Sequence, residues 1–596
     1  MLGAADRQTP PIVLFCPASG PRHGIGHVKR CFSLIRESGR GYVPVIWFTG
    51  GRPPRELLDE AACLGAEVVE CPENAAGADL VVSDMRDTGH RVMDRLLRIA
   101  PVVSLDDLGA GGKRAQVTIC ALPALEPVHA NFSGLSYLVP GSAAPASGAA
   151  GAGSSPGSGE VVVSFGGSDP HNLADLATRA LNRAGVRPVV VTGPLFRGEV
   201  RGRCTLVRTP PDPAVLIRGA KLLVTSFGIT AYEAMLARTP VALFNHSRYH
   251  WRLAGRVPVP NLGYYPRTGL EELSSALGRL LEDPEGLRRS AERNAALIDG
   301  KGARRVNGII LAAARGQRRD CLLHHGRWSA LRRTEGHTLL RCRRCGDLFL
   351  FTLANRSPHR YRSTYFLSEY RKQYGRSYLA DRPAIHRMAA ARLSVIEGIT
   401  GRPGRLLDVG CALGFFLEAA RERGWEAQGV EVSPYAAAWA RKRLGLQVLT
   451  GSFLDTALAE MSFDVITLFY VAEHFPRVEE VLERARVLLA DGGVLALALP
   501  NRGGISYRVS RSAYLDRHPE DHYFDTTPAN LKRFLRARGF RCARVITTGI
   551  HPERFYARLG IKVGEGPAGR VLQGLYLPLA RVLRWGDTFE YYGIKC

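Results

Sequence analysis

Along the chain, apolar residues come in short runs of strand length, separated by stretches in which they recur every three or four positions. Residues 12–16 form an uninterrupted apolar run, 28–37 have helical spacing, 42–48 are apolar again and 56–64 are helical. Buried-strand runs alternating with amphipathic helices give the rhythm of a parallel sheet covered on both faces. The rhythm continues through 80–83 and 102–105, stops at a Gly/Ala/Ser/Pro tract over 141–159, and restarts at 161–165. Such a tract predicts a flexible linker between two Rossmann-like halves. The second half runs through 188–192, 222–225 and 241–244 and closes in helices near Arg315. A third α/β unit starts near Arg405 and reaches almost to Cys596, and no solenoid period is present.

Length and charge narrow the picture. A chain of 596 residues that is 45% hydrophobic exceeds a single core, so several compact units are expected. No apolar stretch approaches the roughly 18–20 residues that span a bilayer, and the first eleven residues lack the regions of a signal peptide. The expectation is a cytoplasmic protein without a transmembrane segment. The formal charge of +25 is mostly arginine dispersed along the chain, which points to solvated helix faces rather than a nucleic-acid surface. Twelve cysteines without an export signal make a disulfide framework unexpected, so only close spacings carry chemistry.

The third unit holds the most specific motif. Residues 406–409 are strand-like, Gly410 to Gly414 make a tight turn, and 415–423 have helical spacing. A strand delivering its end into a glycine-rich turn lets backbone amides and a helix amino terminus approach a ligand closely. A second strand over 429–432 places Glu431 at its carboxyl end, where a carboxylate can accept both hydroxyls of a ribose. The run Asp408-Val409-Gly410-Cys411-Ala412-Leu413-Gly414 resembles the signature of class I S-adenosylmethionine-dependent methyltransferases, with Ala412 where glycine is usual. The resemblance implies a cofactor site of Asp408, Gly410, Gly414 and Glu431, with Phe453 on the adenine side. Downstream the same order predicts a strand over 463–470, a helix over 477–489, a turn at Asp491-Gly492-Gly493 into a strand over 494–499, a helix over 528–538 and a last strand over 586–593. A dinucleotide oxidoreductase turn would need Gly-Xaa-Gly-Xaa-Xaa-Gly, which is absent here. Transfer to an oxygen calls for a base, and His474 and His522 are the candidates.

Before this unit, Cys321-Leu322-Leu323-His324 is followed by Cys342-Arg343-Arg344-Cys345-Gly346. Two close pairs can wrap one tetrahedral zinc, with His325 an alternative to His324. The segment resembles the zinc-binding module that precedes some sugar-modifying methyltransferases, although their first pair is usually two cysteines.

The amino-terminal half carries Gly24-Ile25-Gly26-His27, then Ser104-Leu105-Asp106-Asp107, then Ser164-Phe165-Gly166-Gly167-Ser168-Asp169, then Ser226-Phe227-Gly228-Ile229-Thr230-Ala231-Tyr232-Glu233. Together these resemble the UDP-sugar hydrolase of pseudaminic acid synthesis and related spore-coat polysaccharide glycosyltransferases. The resemblance implies the GT-B fold, with the nucleotide sugar between two Rossmann-like halves. It makes His27 the base and Glu233 the holder of the uridine ribose, with Gly24, Gly26, Gly166, Gly167, Gly228, Ile229 and Thr230 around the nucleotide sugar. Asn245-His246-Ser247 stands where that hydrolase commonly has an Asn-Gln pair, which leaves the sugar open.

The predicted division is a first GT-B domain over 1–140, a linker over 141–159, a nucleotide-binding GT-B domain over 160–315, a zinc module over 319–350 and a methyltransferase domain over 351–596. The expected function is bifunctional: a UDP-sugar hydrolase or glycosyltransferase fused to a methyltransferase acting on a carbohydrate in nucleotide-sugar or surface-glycan synthesis. The expected cofactors are S-adenosylmethionine and a structural zinc. The rival readings are an RNA methyltransferase, hinted at only by the basic stretch 327–344, and a fusion with one noncatalytic half.

Overall fold

The structure, a computed structural model, describes residues 9–20, 25–51, 53–75, 77–141, 159–210, 212–316, 321–324, 328–353, 370–371, 375–562 and 566–596. Gly24, His325 and most of the expected linker, 142–158, lie outside the described residues. The described residues divide into two units, one of residues within 9–316 with 333–338, the other of residues within 321–332 and 339–596.

The first unit holds two parallel sheets. Strands β1 (Ile12–Pro17), β2 (Val43–Ile46), β3 (Glu67–Val68), β4 (Leu80–Asp84), β5 (Val102–Leu105), β6 (Val117–Cys120) and β7 (Phe132–Ser133) are ordered 3-2-1-4-5-6-7. Strands β8 (Val161–Val163), β9 (Val189–Thr192), β10 (Thr205–Arg208), β11 (Leu222–Thr225), β12 (Val241–Asn245) and β13 (Asn261–Tyr264) are ordered 10-9-8-11-12-13. Central strands such as Val13 to Cys16 and Leu222 to Val224 are fully buried, as helices on both faces require of a parallel sheet. The helix Gly302–Ala314 returns to the first sheet, where Asn307 donates to the Leu34 carbonyl at 2.9 Å and pairs with Tyr42 Oη at 3.0 Å.

Strands β14 (Trp328–Arg333) and β15 (His337–Cys342), apart from 333 and 337–338, and β16 (Leu348–Thr352) belong to the second unit and precede the helix Arg382–Thr400. Then come β17 (Arg405–Val409), β18 (Glu426–Glu431), β19 (Gln447–Thr450), β20 (Phe463–Phe469) and β21 (Leu489–Pro500). Strand β22 (Phe524–Asp525) turns back to pair antiparallel with β16, extending the small sheet to 14-15-16-22. Strands β23 (Phe540–Thr548) and β24 (Thr588–Lys595) complete a seven-stranded sheet ordered 19-18-17-20-21-24-23, in which β24 runs antiparallel to both neighbours. Helices Arg382–Thr400 and Phe415–Glu422 pack through Leu393, Ile396 and Leu417 on one face. Helices Val478–Leu488 and Pro528–Arg536 pack through Val481, Leu482, Leu531 and Phe534 on the other. This is a mixed α/β architecture of Rossmann-like sheets.

Two expectations need correction. The helix over 477–489 is observed as Val478–Leu488, and the strand expected from 494 begins at Leu489. A shift in register between Phe463 and Val465 lets Asp491 to Gly493 protrude without ending the strand, as a bulge does.

Candidate functional site

Each of the three large sheets has a point where its order of parallel strands reverses: between β1 and β4, between β8 and β11, and between β17 and β20. Helices leave opposite faces of the sheet at such a point, so a crevice opens outside the carboxyl ends of the two strands. Asp408, Glu431 and His474 lie at the third switch point and His27 at the first, while Cys342 and Cys345 lie on the small sheet away from all three.

At the third, β17 ends in Asp408 and Val409 and the chain turns through Gly410 and Ala412, both at positive φ (72° and 50°), into the helix Phe415–Glu422. Ala412 occupies the left-handed region, which costs a non-glycine residue about 1–2 kcal/mol. The methyl group does not displace the backbone, because the Ala412 N–H donates to Glu431 Oε2 at 2.8 Å. Glu431 Oε1 accepts the Ser433 N–H at 2.7 Å, and Ser433 in turn caps the helix Pro434–Leu444. Glu431 is thus clamped at the end of β18, buried, and its carboxyl is pushed up by desolvation against the opposing backbone hydrogen bonds. Register places Thr467 of β20 opposite Asp408, and its hydroxyl donates to Asp408 Oδ1 at 2.6 Å. Burial pushes Asp408 up to about 7 and Glu431 adds to the effect, against the Thr467 bond and the Arg392 guanidinium. Gly429 has no room for a side chain, since a Cβ there would lie 2.6 Å from Cys411 Sγ.

The two oxygens of Glu431 each accept one N–H, and a carboxylate has about four acceptor sites. The remaining sites suit a vicinal pair of hydroxyls, so these residues fit a ribose-bearing cofactor. Phe453 is 2% exposed, packed in the core with the Arg484 guanidinium 5.5 Å from its ring centroid.

Across the crevice, β20 leads into the short helix Ala472–His474. His474 and His522 meet edge to face with ring centroids 4.9 Å apart. His474 Nδ1 lies 3.1 Å from the Asp521 carbonyl, which orients the ring. Burial opposes protonation of His474, but Asp521 and Glu473 outweigh it and raise its pKa. His522 Nδ1 lies 3.8 Å from Asp525 Oδ1. Asp525 also accepts the Tyr514 hydroxyl at 2.5 Å and lies 3.1 Å from His518 Nε2. Burial raises the Asp525 pKa, and the His518 and His522 partners hold it far below the ordinary carboxylate range. Glu473 is 1% exposed, its Oε2 has no hydrogen-bond partner, and burial raises its pKa. The ligand atoms of Glu473, His474 and His522 lie within 4.8 Å of one another, so the group can take a proton or a cation.

The same unit brings together Cys321, His324, Cys342 and Cys345. Cys321 Sγ is 3.3 Å from Cys345 Sγ, and His324 Nδ1 is 3.8 Å from Cys321 Sγ and 3.6 Å from Cys342 Sγ. The second pair sits on the turn between β15 and β16, where the Gly346 N–H donates to the Cys342 carbonyl at 3.1 Å. Behind it Asp347 accepts Thr526 at 2.9 Å and Asn530 at 2.6 Å, fixing the turn to the helix Pro528–Arg536.

In the first unit His27 lies in the first turn of the helix Gly26–Ser38, after β1, and its Nδ1 is 2.6 Å from Asp84 Oδ1 at the end of β4. Arg30 bridges Asp84, at 2.7 Å from Nε to Oδ2, and Asp106, at 2.5 Å. Although burial pushes the other way, Arg30 and His27 hold Asp84 at about 2. Gly166 and Gly167 follow β8, while Gly228, Ile229 and Thr230 open the helix Ile229–Leu236 after β11. Gly167 approaches Ile25 closely enough that a Cβ would lie 3.0 Å from its side chain. Glu233 Oε1 accepts the Gly141 N–H at 2.8 Å. The sequence missed Asp84, Arg30, Thr467, Asp525 and the unpartnered Glu473. Arg30, three residues from His27, Glu473, beside His474, and Asp525, three residues from His522, had a local signal, whereas Asp84 and Thr467 had none.

Residues 376–545 match the sequence model of a family described as a methyltransferase domain. The chain is 32% identical over 168 residues to a ubiquinone biosynthesis O-methyltransferase of Azoarcus sp. (strain BH72), covering 26% of this chain and 72% of that protein. It is 29% identical over 168 residues to the protein of that name from Cupriavidus pinatubonensis, covering 26% and 68%. A solved S-adenosylmethionine-dependent methyltransferase from Archaeoglobus fulgidus aligns with 38% of this chain and 98% of its own, at a TM-score of 0.29 and 18% identity.

Proposed function

The chain belongs to the class I S-adenosylmethionine-dependent methyltransferases through residues 376–545, and on that premise we propose that it methylates an oxygen of a carbohydrate in surface-glycan or nucleotide-sugar synthesis. The observation that supports the reading is that Asp408, the clamped Glu431 and the His474–His522 pair belong to the carboxyl ends of the neighbouring strands β17, β18 and β20 at one switch point. S-Adenosylmethionine, when bound, supplies an electrophilic methyl group. Glu431 holds the ribose hydroxyls with the acceptor sites left free by Ala412 and Ser433, and the 410–414 turn with Asp408 holds the methionine end. His474, fixed through Nδ1 by the Asp521 carbonyl, or His522, backed by Asp525, takes the acceptor hydroxyl proton on Nε2. Cys321, His324, Cys342 and Cys345 hold one structural zinc, since their separations suit a tetrahedral site.

The amino-terminal unit is read as a GT-B pair that hydrolyses a UDP-sugar or transfers from it. His27, oriented by Asp84, serves as its base, and Glu233 holds the ribose. A shared pathway for the two halves follows from their fusion, an associational argument. The relatives' name favours a second reading, in which the acceptor is an intermediate of ubiquinone biosynthesis.

Methyl transfer from labelled S-adenosylmethionine to a panel of UDP-sugars, their sugar products and ubiquinone precursors distinguishes the two readings. Label entering only sugars supports the first, and label entering only ubiquinone precursors replaces it with the second. With His474 as base, the rate rises with pH beyond the ordinary imidazole range, because its raised pKa delays the neutral form.

A further inference from the structure

The helix Pro567–Leu583 has two apolar faces. One carries Leu572, Tyr576 and Ala580, spaced by four residues, and packs on Phe555, Tyr556 and Trp585 to form a small core of its own. The other carries Val571, Leu575, Leu579 and Val582, which are 62%, 65%, 43% and 80% exposed. At about 100° per residue these four fall within one stripe. The sequence keeps a second apolar stripe in water where solubility alone would favour polar residues.

The charges say what covers it. Arg581, exposed, lies on one flank of the stripe, and Arg584, also exposed, caps the helix end. The helix contains no Asp or Glu. The preceding segment adds exposed Lys562 beside exposed Leu559 and Ile561. Against the same helix of a second copy, arginines would face arginines with no acidic residue on either helix, so like would face like. An anionic lipid surface takes apolar side chains below its headgroups and arginines among them, the arrangement of an interfacial helix. The helix is about 25 Å long, and no helix among the described residues is long and apolar enough to cross a membrane.

We propose that the helix Pro567–Leu583 docks the methyltransferase unit on anionic lipid bilayers, its exposed stripe inserted at the headgroup boundary and its arginines paired with lipid phosphates. The inference stands apart from the identity of the methyl acceptor.

The test is flotation of the full-length protein with vesicles of phosphatidylcholine alone or mixed with phosphatidylglycerol. The protein is expected to float with the mixed vesicles and far less with phosphatidylcholine, and added salt is expected to reduce binding. L575S/L579S keeps the charge and alters only exposed side chains, so its partition coefficient is expected to fall at least about tenfold. Affinity for S-adenosylhomocysteine checks that the variant is folded. Flotation of L575S/L579S equal to wild type would mean that the net charge alone binds, and would overturn the proposal. Absence of flotation, or a dimer that the serine variant dissolves into monomers, would overturn it equally.

Discussion

Replacing Glu431 with Ala removes the acceptor of two backbone N–H groups, Ala412 at 2.8 Å and Ser433 at 2.7 Å, together with the sites assigned to the ribose. Hydrogen bonds to a charged group are each worth about 1.5–3 kcal/mol. Loss of one such bond to the ribose weakens binding by about 10- to 150-fold, so loss of the ribose contact should cost at least that much. The variant also loses thermal stability, because both amides lose their partner in a buried place. Calorimetric titration of the full chain with S-adenosylhomocysteine, paired with thermal melting, separates the two effects. Glu431→Gln serves as the intermediate, since its amide keeps one carbonyl oxygen. An unchanged dissociation constant in Glu431→Ala beside a lowered Tm would make Glu431 a clamp of the turn and nothing more, refuting the ribose assignment.

Asp408, raised to about 7 when folded, titrates near 3.9 when unfolded. The fold therefore favours its protonated form, and that stabilisation is complete below about pH 4 and lost as pH rises through about 7. Urea unfolding at several pH values should find Asp408→Asn gaining on wild type as pH rises from about 4 to about 7; parallel profiles would contradict the assigned burial effect. Metal analysis of protein purified without chelator should find one zinc per chain, absent from Cys342→Ser/Cys345→Ser, whereas equal zinc in the variant would place the metal elsewhere. His27→Ala should reduce UDP release from the true UDP-sugar by about 10²- to 10⁴-fold while nucleotide affinity stays within a few fold, and normal turnover would remove His27 from the mechanism.

What was legible in the sequence was local. The strand, turn and helix around Asp408 and the placement of Glu431 at a strand end follow from apolar runs and glycine spacing within a few dozen residues. Relations that depend on strand order were not legible. Asp84 lies 57 residues from His27 and Thr467 lies 59 from Asp408, and only the parallel pairing of β1 with β4 and of β17 with β20 brings them together. Strand β23 escaped notice because it lies at a sheet edge and carries Arg541 and Arg544 among its apolar residues. The helix Pro567–Leu583 escaped for the opposite reason: with two apolar faces and an internal proline, it has no clean polar side to mark its period.

The most direct measurement is a crystal structure of the full chain with S-adenosylhomocysteine. The expected result places both ribose hydroxyls within hydrogen-bond distance of Glu431, the amino-acid end on the 410–414 turn beside Asp408, and the sulfur facing the space before His474 and His522. A nucleoside bound away from Glu431, or a sulfur turned from the histidine pair, would contradict the proposed site.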